Sequence, residues 1–227
     1  MQFVLIRHGQ PGWDRNGMAV DNPELTSLGH DQAKRLAERL AATDFRVDEL
    51  LVSPLARAQQ TAAPIADALG LEITTLEWLR EITAPAFEGT PTEQVQRIFA
   101  ENRERSVDDL WDGLPGGESF SDFHERITGG VRELLAERGA IPVAPAPPLW
   151  KLEDRDRVVM IVAHAGTNAA AIGFLLGITP VPWEWERFVS FHASMSTLLP
   201  MDISGANSFS LFKFSDVSHL PDDLQTR

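Results

Sequence analysis

The sequence predicts a three-layer α/β/α fold with a mostly parallel central sheet and a helical insertion. Three observations predict it. Residues 3–6 (FVLI) and 158–163 (VVMIVA) are unbroken apolar runs of strand length, which suits strands buried on both faces of a parallel sheet. Residues 29–42 and 120–138 carry apolar residues at helical spacing with charged residues between them, as helices laid on a sheet do. Strand-like and helix-like stretches alternate along the 227 residues, which favours one α/β domain over two.

The first strand ends abruptly in Arg7-His8-Gly9. Ligands of open α/β sheets gather beyond the carboxyl ends of the strands, so Arg7 and His8 stand where chemistry is expected. Gly9 lets the chain turn there. Taken alone, these residues fit a structural turn with a solvated cation equally well. Residues 22–28 (NPELTSL) form a turn-rich approach, with Thr26 or Ser27 as N-cap of a helix whose stripe is Ala33, Leu36, Ala37 and Leu40. His30, near its start, reads as a surface residue.

Residues 49–53 (ELLVS) predict a second strand. Pro54 is expected to open the next helix at its first position, which puts Arg57 in the first turn, where helix amides also face an anion. Residues 71–75 predict a short edge strand leading into Trp78-Leu79-Arg80-Glu81. Residues 82–117 read as a helical insertion near the site, irregular around Pro85, Gly89 and Pro91 and helical over 92–102. Its apolar bulk, Phe87, Phe99 and Trp111 with Phe120 beyond, serves a small core of its own or lines a pocket for an organic leaving group.

Residues 114–119 (LPGGES) deliver Glu118 to the start of the helix 120–138, whose apolar face is Phe123, Ile127, Val131, Leu134 and Leu135. His124 there reads as packing. Residues 139–157 contain PVAPAPPLW and predict a proline-stiffened surface loop, neither helix nor central strand. Such a loop would be a lip over the site or a contact with a second copy in a homodimer. The run 158–163 then ends in His164, so two long apolar strands each end in a histidine, and a helix of small residues follows over 168–176. Further strands are expected at 186–192, 196–199 and 209–214, with His192 as a hydrogen-bonded sheet residue, and the acidic tail from Ser215 as loosely packed.

Composition narrows the function. A formal charge of −13 argues against nucleic acid or an anionic membrane as partner. The absence of cysteine excludes disulfides, thiolate zinc sites and a cysteine nucleophile. No apolar run reaches membrane-spanning length, and the first residues lack the pattern of a secretory signal, so a cytoplasmic location is expected. An anion site in so acidic a chain must build its own positive field from a few converged cations.

If the strands lie side by side, Arg7, His8, Arg57 and His164 meet at one sheet edge. Two guanidiniums and two imidazoles, with no HExxH and no GxSxG, point to phosphoryl chemistry through histidine. Metal binding is disfavoured, because Arg7 would repel a cation and no dense ligand set accompanies the histidines. No cofactor is implied.

At this point the sequence resembles the histidine phosphatase superfamily, with its phosphoglycerate-mutase-like fold. The resemblance covers nearly the whole chain: LIRHGQPGW, LTSLGHDQA, SPLARAQQTA, LREITAPAFEG, PGGES, VAHAGT and HASMSTL. It implies that His8 is the nucleophile that becomes phosphohistidine, that Arg7, Arg57 and His164 hold the phosphoryl oxygens, and that Glu81 is the general acid. His164 counts among the catalytic residues for the same reason. Gln10, Glu118 and Phe87 are candidates for the substrate pocket. Gln10 and Asp14 stand where the family often has Glu and Asn, and Thr83 and Pro85 where it often has His and Gly; Asp14 is not counted as a ligand.

Residues 82–101 carry one cation, Arg97, against Glu88, Glu93 and Glu101, whereas mutases resemble traps for a bisphosphate with extra basic residues there. A metal-independent phosphomonoesterase acting on a small organic phosphate is therefore expected. The alternatives are a phosphoglycerate mutase-type phosphotransferase, or a catalytically weak protein that binds phosphate or phosphopeptides, with a regulatory protein using the proline-rich loop as a third.

Overall fold

The computed structural model describes residues 1–43, 45–145 and 148–227. The chain opens with β1 (Gln2–Arg7) and a small hairpin of β2 (Asp14–Arg15) and β3 (Met18–Ala19). Then come α1 (Ser27–Ala41), β4 (Glu49–Val52), α2 (Ala56–Leu69) and β5 (Ile73–Thr75). The insertion contributes α3 (Thr92–Arg103) and α4 (Val107–Trp111), and α5 (Phe120–Glu137) leads back to the sheet. The rest is β6 (Ala140–Pro145), β7 (Pro148–Leu152), β8 (Val158–Ala163), α6 (Ala165–Leu176), α7 (Glu184–Arg187), β9 (Met195–Ile203) and β10 (Ala206–Asp216).

Among the described residues the main sheet has eight strands in the order β5-β4-β8-β1-β9-β10-β7-β6. Pairing is parallel from β5 to β1 and antiparallel from β1 to β6, so that six of the eight strands run the same way. The sheet is mixed and mostly parallel in direction. β1 and β8 lie at its centre, and alternate residues of each face opposite layers. Val4, Ile6, Met160 and Val162 pack with Leu36, Leu40, Ala58 and Ile65 of α1 and α2. Phe3, Leu5, Val159 and Ile161 pack with Phe123, Ile127, Val131 and Leu134 of α5 and with Ile172 and Leu175 of α6. The apolar runs read as doubly buried strands are therefore buried on both faces.

Thr26 caps α1, its hydroxyl accepting the Gly29 N–H at 3.0 Å. Gly29 also makes a close approach possible. A Cβ on Gly9 would lie 2.6 Å from the Gly29 carbonyl oxygen, so two glycines let the start of α1 press against the turn after β1. Close contact, rather than an unusual φ, is what Gly9 supplies.

Several expectations need correction. Pro54 precedes α2 without entering it, and Leu55 is the N-cap. Phe120 belongs to the main core rather than to a core of the insertion, and Trp111 leans on it edge-on at 5.3 Å. The proline-rich stretch is a hairpin, β6 and β7, at the edge of the sheet. An edge strand needs N–H donors on one side only, and the register shifts between Pro142 and Ala144, so the prolines are accommodated. This hairpin lies at the opposite edge from β5, three and four places from β1, which does not suit a lip; Ala146 and Pro147 lie outside the described residues.

Residues 186–192 do not form a strand. Local bonding wins there: the buried Glu184 carboxylate accepts the Val181 N–H at 3.0 Å, and the Phe188 N–H reaches the Glu184 carbonyl at 3.2 Å, closing the short helix α7. The acidic tail is not loose either. Leu220 is buried and residues 224–226 hydrogen-bond into the body of the protein. No described helix is long and apolar enough to cross a membrane.

Truncation in the α5 layer should be costly. Phe123→Ala is expected to lower the unfolding free energy by about 3–5 kcal/mol, read as a lower urea midpoint at unchanged slope. Phe212→Ala, on a side chain 66% exposed, should change it by less than about 0.5 kcal/mol.

Candidate functional site

Sheet register assembles the site. Arg7 pairs with Ala163, and the His8 N–H donates to the Ala163 carbonyl at 3.0 Å, so His8 and His164 leave neighbouring strands side by side. Their ring centroids are 5.1 Å apart. On the other flank of β8, Val52 pairs with Val162, which sets Ser53 beside His164, and the Ser53 hydroxyl lies 2.7 Å from His164 Nε2. Arg57, in the first turn of α2, reaches over to place Nε 3.2 Å from His8 Nε2. The four residues brought together by the sequence argument thus form one cluster.

The hydrogen bonds assign the tautomers. His8 Nδ1 is 2.7 Å from the Gly9 carbonyl, which can only accept, so Nδ1 carries the proton and Nε2 keeps its lone pair. Arg57 donates to that lone pair. Arg7 is held from behind: Nη1 donates to the Ser190 carbonyl at 2.5 Å and Nη2 to His192 Nε2 at 3.0 Å. Burial, then His164 and the two arginines, push the His8 pKa well below the ordinary range. Burial and the same arginines do this to His164. Burial lowers Arg57 to about 10, and Arg7 in the same direction. Arg57 Nη1 and His164 Nδ1 are buried with no hydrogen-bond partner among the described residues. Neutral imidazoles and under-partnered cations make a cluster suited to an anion with several acceptor oxygens.

Glu81 stands next to this cluster. Its Oε2 accepts the Gly166 N–H at 2.8 Å, in the first turn of α6, and its Oε1 accepts the Ile82 N–H at 3.0 Å. A Cβ on Gly166 would lie 2.5 Å from Glu81 Oε1, so only glycine leaves room for the carboxylate. The loop carrying Glu81 is clamped by Arg126 of α5. Its Nη1 donates to the carbonyls of Trp78 at 2.8 Å and Arg80 at 3.0 Å, while Nε and Nη2 grip Glu118 at 2.9 and 2.7 Å. Glu118 in turn accepts the Thr83 N–H at 3.0 Å, and its own N–H donates to the Thr83 carbonyl at 2.8 Å. Thr83 is therefore held by Glu118, and Glu118 is engaged with Arg126.

The other candidates divide. Gln10 borders the turn after His8, its Oε1 accepting from the Thr26 hydroxyl at 2.8 Å. Phe87 packs edge-on against Phe99 at 5.9 Å, within the insertion. Asp14 turns to its own hairpin, accepting from the Gly17 N–H at 3.0 Å and from the Thr92 hydroxyl, so it is no ligand of the cluster. His30 is exposed, and His124 stacks on Phe120 at 6.0 Å.

Sequence reasoning missed several members. His192 is not a sheet residue; it lies before β9 with its ring 5.6 Å from that of His8. Trp13, half exposed, has the Arg57 guanidinium 4.7 Å from its ring centre. Ser53 and Arg126 carried no signal beyond their places after β4 and on α5. Among the described residues no group of three or more His, Cys, Asp or Glu is arranged to hold a metal ion.

Comparison with known proteins agrees with this geometry. The model of the histidine phosphatase superfamily (branch 1) matches residues 3–144. Phosphoserine phosphatase 1 of Hydrogenobacter thermophilus is 30% identical over 194 residues, covering 84% of this chain and 81% of that protein. A probable phosphoglycerate mutase GpmB of Yersinia enterocolitica is 27% identical over 183 residues, covering 79% and 77%. The structure of a mycobacterial glucosyl-3-phosphoglycerate phosphatase in complex with VO3 superposes with a TM-score of 0.70 at 27% identity, over 94% of this chain and 98% of that one.

Two outcomes are expected. Gly166→Ala should displace the Glu81 carboxylate, so turnover of an aryl phosphate should fall at least about tenfold while inorganic phosphate still binds; equilibrium binding and steady-state kinetics separate the two. The buried histidines also link stability to pH. His192 is lowered to about 3, chiefly by burial and then by Arg7, so below an unfolded value near 6.5 the unfolded chain takes up protons that the native state refuses. Its contribution is complete above pH 6.5 and is lost as pH falls, at about 1.4 kcal/mol per pH unit for each such histidine. Urea midpoints at pH 7, 6 and 5 should fall in sequence, and less steeply in His192→Asn.

Proposed function

The chain belongs to the histidine phosphatase superfamily (branch 1), and on that premise we propose that it is a metal-independent phosphomonoesterase working through a phosphohistidine. The observation that carries this is the fixed tautomer of His8, whose Nε2 lone pair is clustered with an unpartnered N–H of Arg57 and the unpartnered Nδ1 of His164. In the first step Nε2 bonds to phosphorus and the bond from phosphorus to the ester oxygen breaks. Glu81 gives its proton to that oxygen, and the alcohol leaves. In the second step water attacks phosphorus, Glu81 takes back a proton, the nitrogen–phosphorus bond breaks, and phosphate leaves with His8 restored. Arg7, Arg57 and His164 stabilise the charge spread over the transferring oxygens, where loss of one donor typically costs about 3 kcal/mol of barrier. The Gly166 amide receives the carboxylate that Glu81 becomes after giving up its proton.

The substrate is proposed to be a small organic phosphate with an uncharged or partly apolar leaving group. The half-exposed Trp13 ring over Arg57 offers a flat wall at the mouth. Gln10 Nε2 is the polar group we assign to the same pocket. Residues 82–101, with Arg97 against Glu88, Glu93 and Glu101, offer little to a second phosphate, which favours hydrolysis over the mutase reaction.

With chelator present, the protein should hydrolyse p-nitrophenyl phosphate and carry acid-labile phosphate on His8. His8→Ala should lose both, and Arg57→Ala should lower kcat/KM by about 10²–10³. Equal mutase and phosphatase rates with 3-phosphoglycerate would refute the assignment, and absence of both label and hydrolysis would favour a binding protein.

A further inference from the structure

We propose that the segment Leu224 to Arg227 is a positioning device for the anion cup, acting on Arg7 through the imidazole of His192. The proposal rests on the phosphatase reading for its kinetic consequence, but its geometry stands apart from it.

The hydrogen bonds close in one sense only. Arg7 Nη2 can only donate, so His192 Nε2, 3.0 Å away, is the acceptor and the ring proton sits on Nδ1. Nδ1 then donates to the Thr226 hydroxyl oxygen at 2.9 Å. That oxygen accepts a second bond from Gln32 Nε2 at 2.9 Å, and the other hydrogen of the same amide goes to the Leu224 carbonyl at 2.7 Å. The His192 N–H donates to the Thr226 carbonyl at 2.9 Å, so both backbone and ring of His192 are tied to one threonine. Phe191 beside it lies under the Arg227 guanidinium, 5.1 Å from the ring centre. The residues at the centre of this chain of contacts are buried: His192 is 4% exposed and Gln32 0%.

Gln32 gives the segment a second hold on the site. Its Oε1 accepts the Gln10 N–H at 2.8 Å, fixing the turn that follows His8. The same four residues therefore brace Arg7 on one side and the RHG turn on the other. An arginine that must present fixed donors to a phosphoryl group gains from this, because a guanidinium free to rotate would give up part of its bond energy to ordering. His192 stays neutral in this role, since a protonated ring could not accept from Arg7. Neither His192 nor Thr226 touches the reacting atoms in this scheme; both are positioning residues.

The test uses the full chain with orthovanadate as probe and p-nitrophenyl phosphate as substrate. Long-range 1H–15N correlation spectra of the wild type should show His192 with its proton on Nδ1. A proton on Nε2 would overturn the proposal, whatever the variants do. Thr226→Val should weaken vanadate binding about tenfold and mix the two tautomers, and Thr226→Ser should restore both. His192→Phe should weaken binding at least as much, and His192→Gln, which offers Arg7 an acceptor oxygen, should recover part of it. Because Thr226 reaches Arg7 through His192, the losses of Thr226→Val and His192→Phe should combine to clearly less than their sum, any remainder being the hold on the turn through Gln32. Unchanged vanadate affinity in folded Thr226→Val, or additive losses in the double variant, would overturn the proposal. If the wild type neither binds vanadate nor turns over the ester, the phosphatase reading fails, and the tautomer measurement still decides whether Thr226 orients His192.

Discussion

Two guanidiniums and three imidazoles share one buried cluster, and keeping the imidazoles neutral beside the arginines is the constraint that the rest of the structure answers to. A neutral ring carries one N–H and offers its other nitrogen as an acceptor, and for His8 and His192 the acceptors of that N–H come from different parts of the chain. Gly9 supplies it for His8, and Thr226 for His192. The Ser53 hydroxyl lies against His164 Nε2, and His164 Nδ1 has no partner among the described residues. The strand order is what makes this possible, since β4, β8 and β1 are consecutive neighbours and their carboxyl ends bring Ser53, His164 and His8 into one row.

How much of this could be read beforehand follows from where each residue sits. The central strands were legible because burial on both faces leaves an unbroken apolar run, and α5 because one face must match the sheet. Arg7, His8, Arg57 and His164 were legible because they stand at the ends of such elements. His192 was not, because the alternation of polar and apolar residues in FHASMS imitates a strand while residues 188–194 are irregular. The hairpin β6–β7 was hidden for the opposite reason: proline argues against ladder bonding in general, yet an edge strand forgoes half of it anyway. Thr226 and Gln32 could not have been found, since no local pattern connects residues 194 positions apart.

The altered loop after Glu81 is a case where sequence differences and structural support balance. Thr83 and Pro85 remove the His and Gly that would raise expectations of a familiar loop shape, but the loop takes its position from Arg126 and Glu118. Arg126 binds two carbonyls of the approach to Glu81 and both oxygens of Glu118, and Glu118 holds Thr83 by two backbone contacts. With a side-chain exposure of 26% for Arg126 and 16% for Glu118, this pair is partly shielded and bidentate, the geometry in which an ion pair specifies structure. Gly117 completes the joint, because a Cβ there would lie 2.7 Å from the Thr83 carbonyl oxygen.

The net charge of −13 then takes on a role in selection. Screening at physiological salt limits the reach of distant carboxylates to about 8 Å, so an anion bound at the proposed site would feel chiefly the groups that line it. On that reading an anion at the cluster would meet Arg7 and Arg57, on both of which Glu81 is the acidic influence. A second anionic group on the same molecule would find little help nearby in sequence, since residues 82–101 carry Arg97 as their one cation and Arg126 is already engaged by Glu118. On the proposed phosphatase reading, converged cations inside an acidic chain would accept one phosphoryl group more readily than two, which would favour a monoester over a bisphosphate.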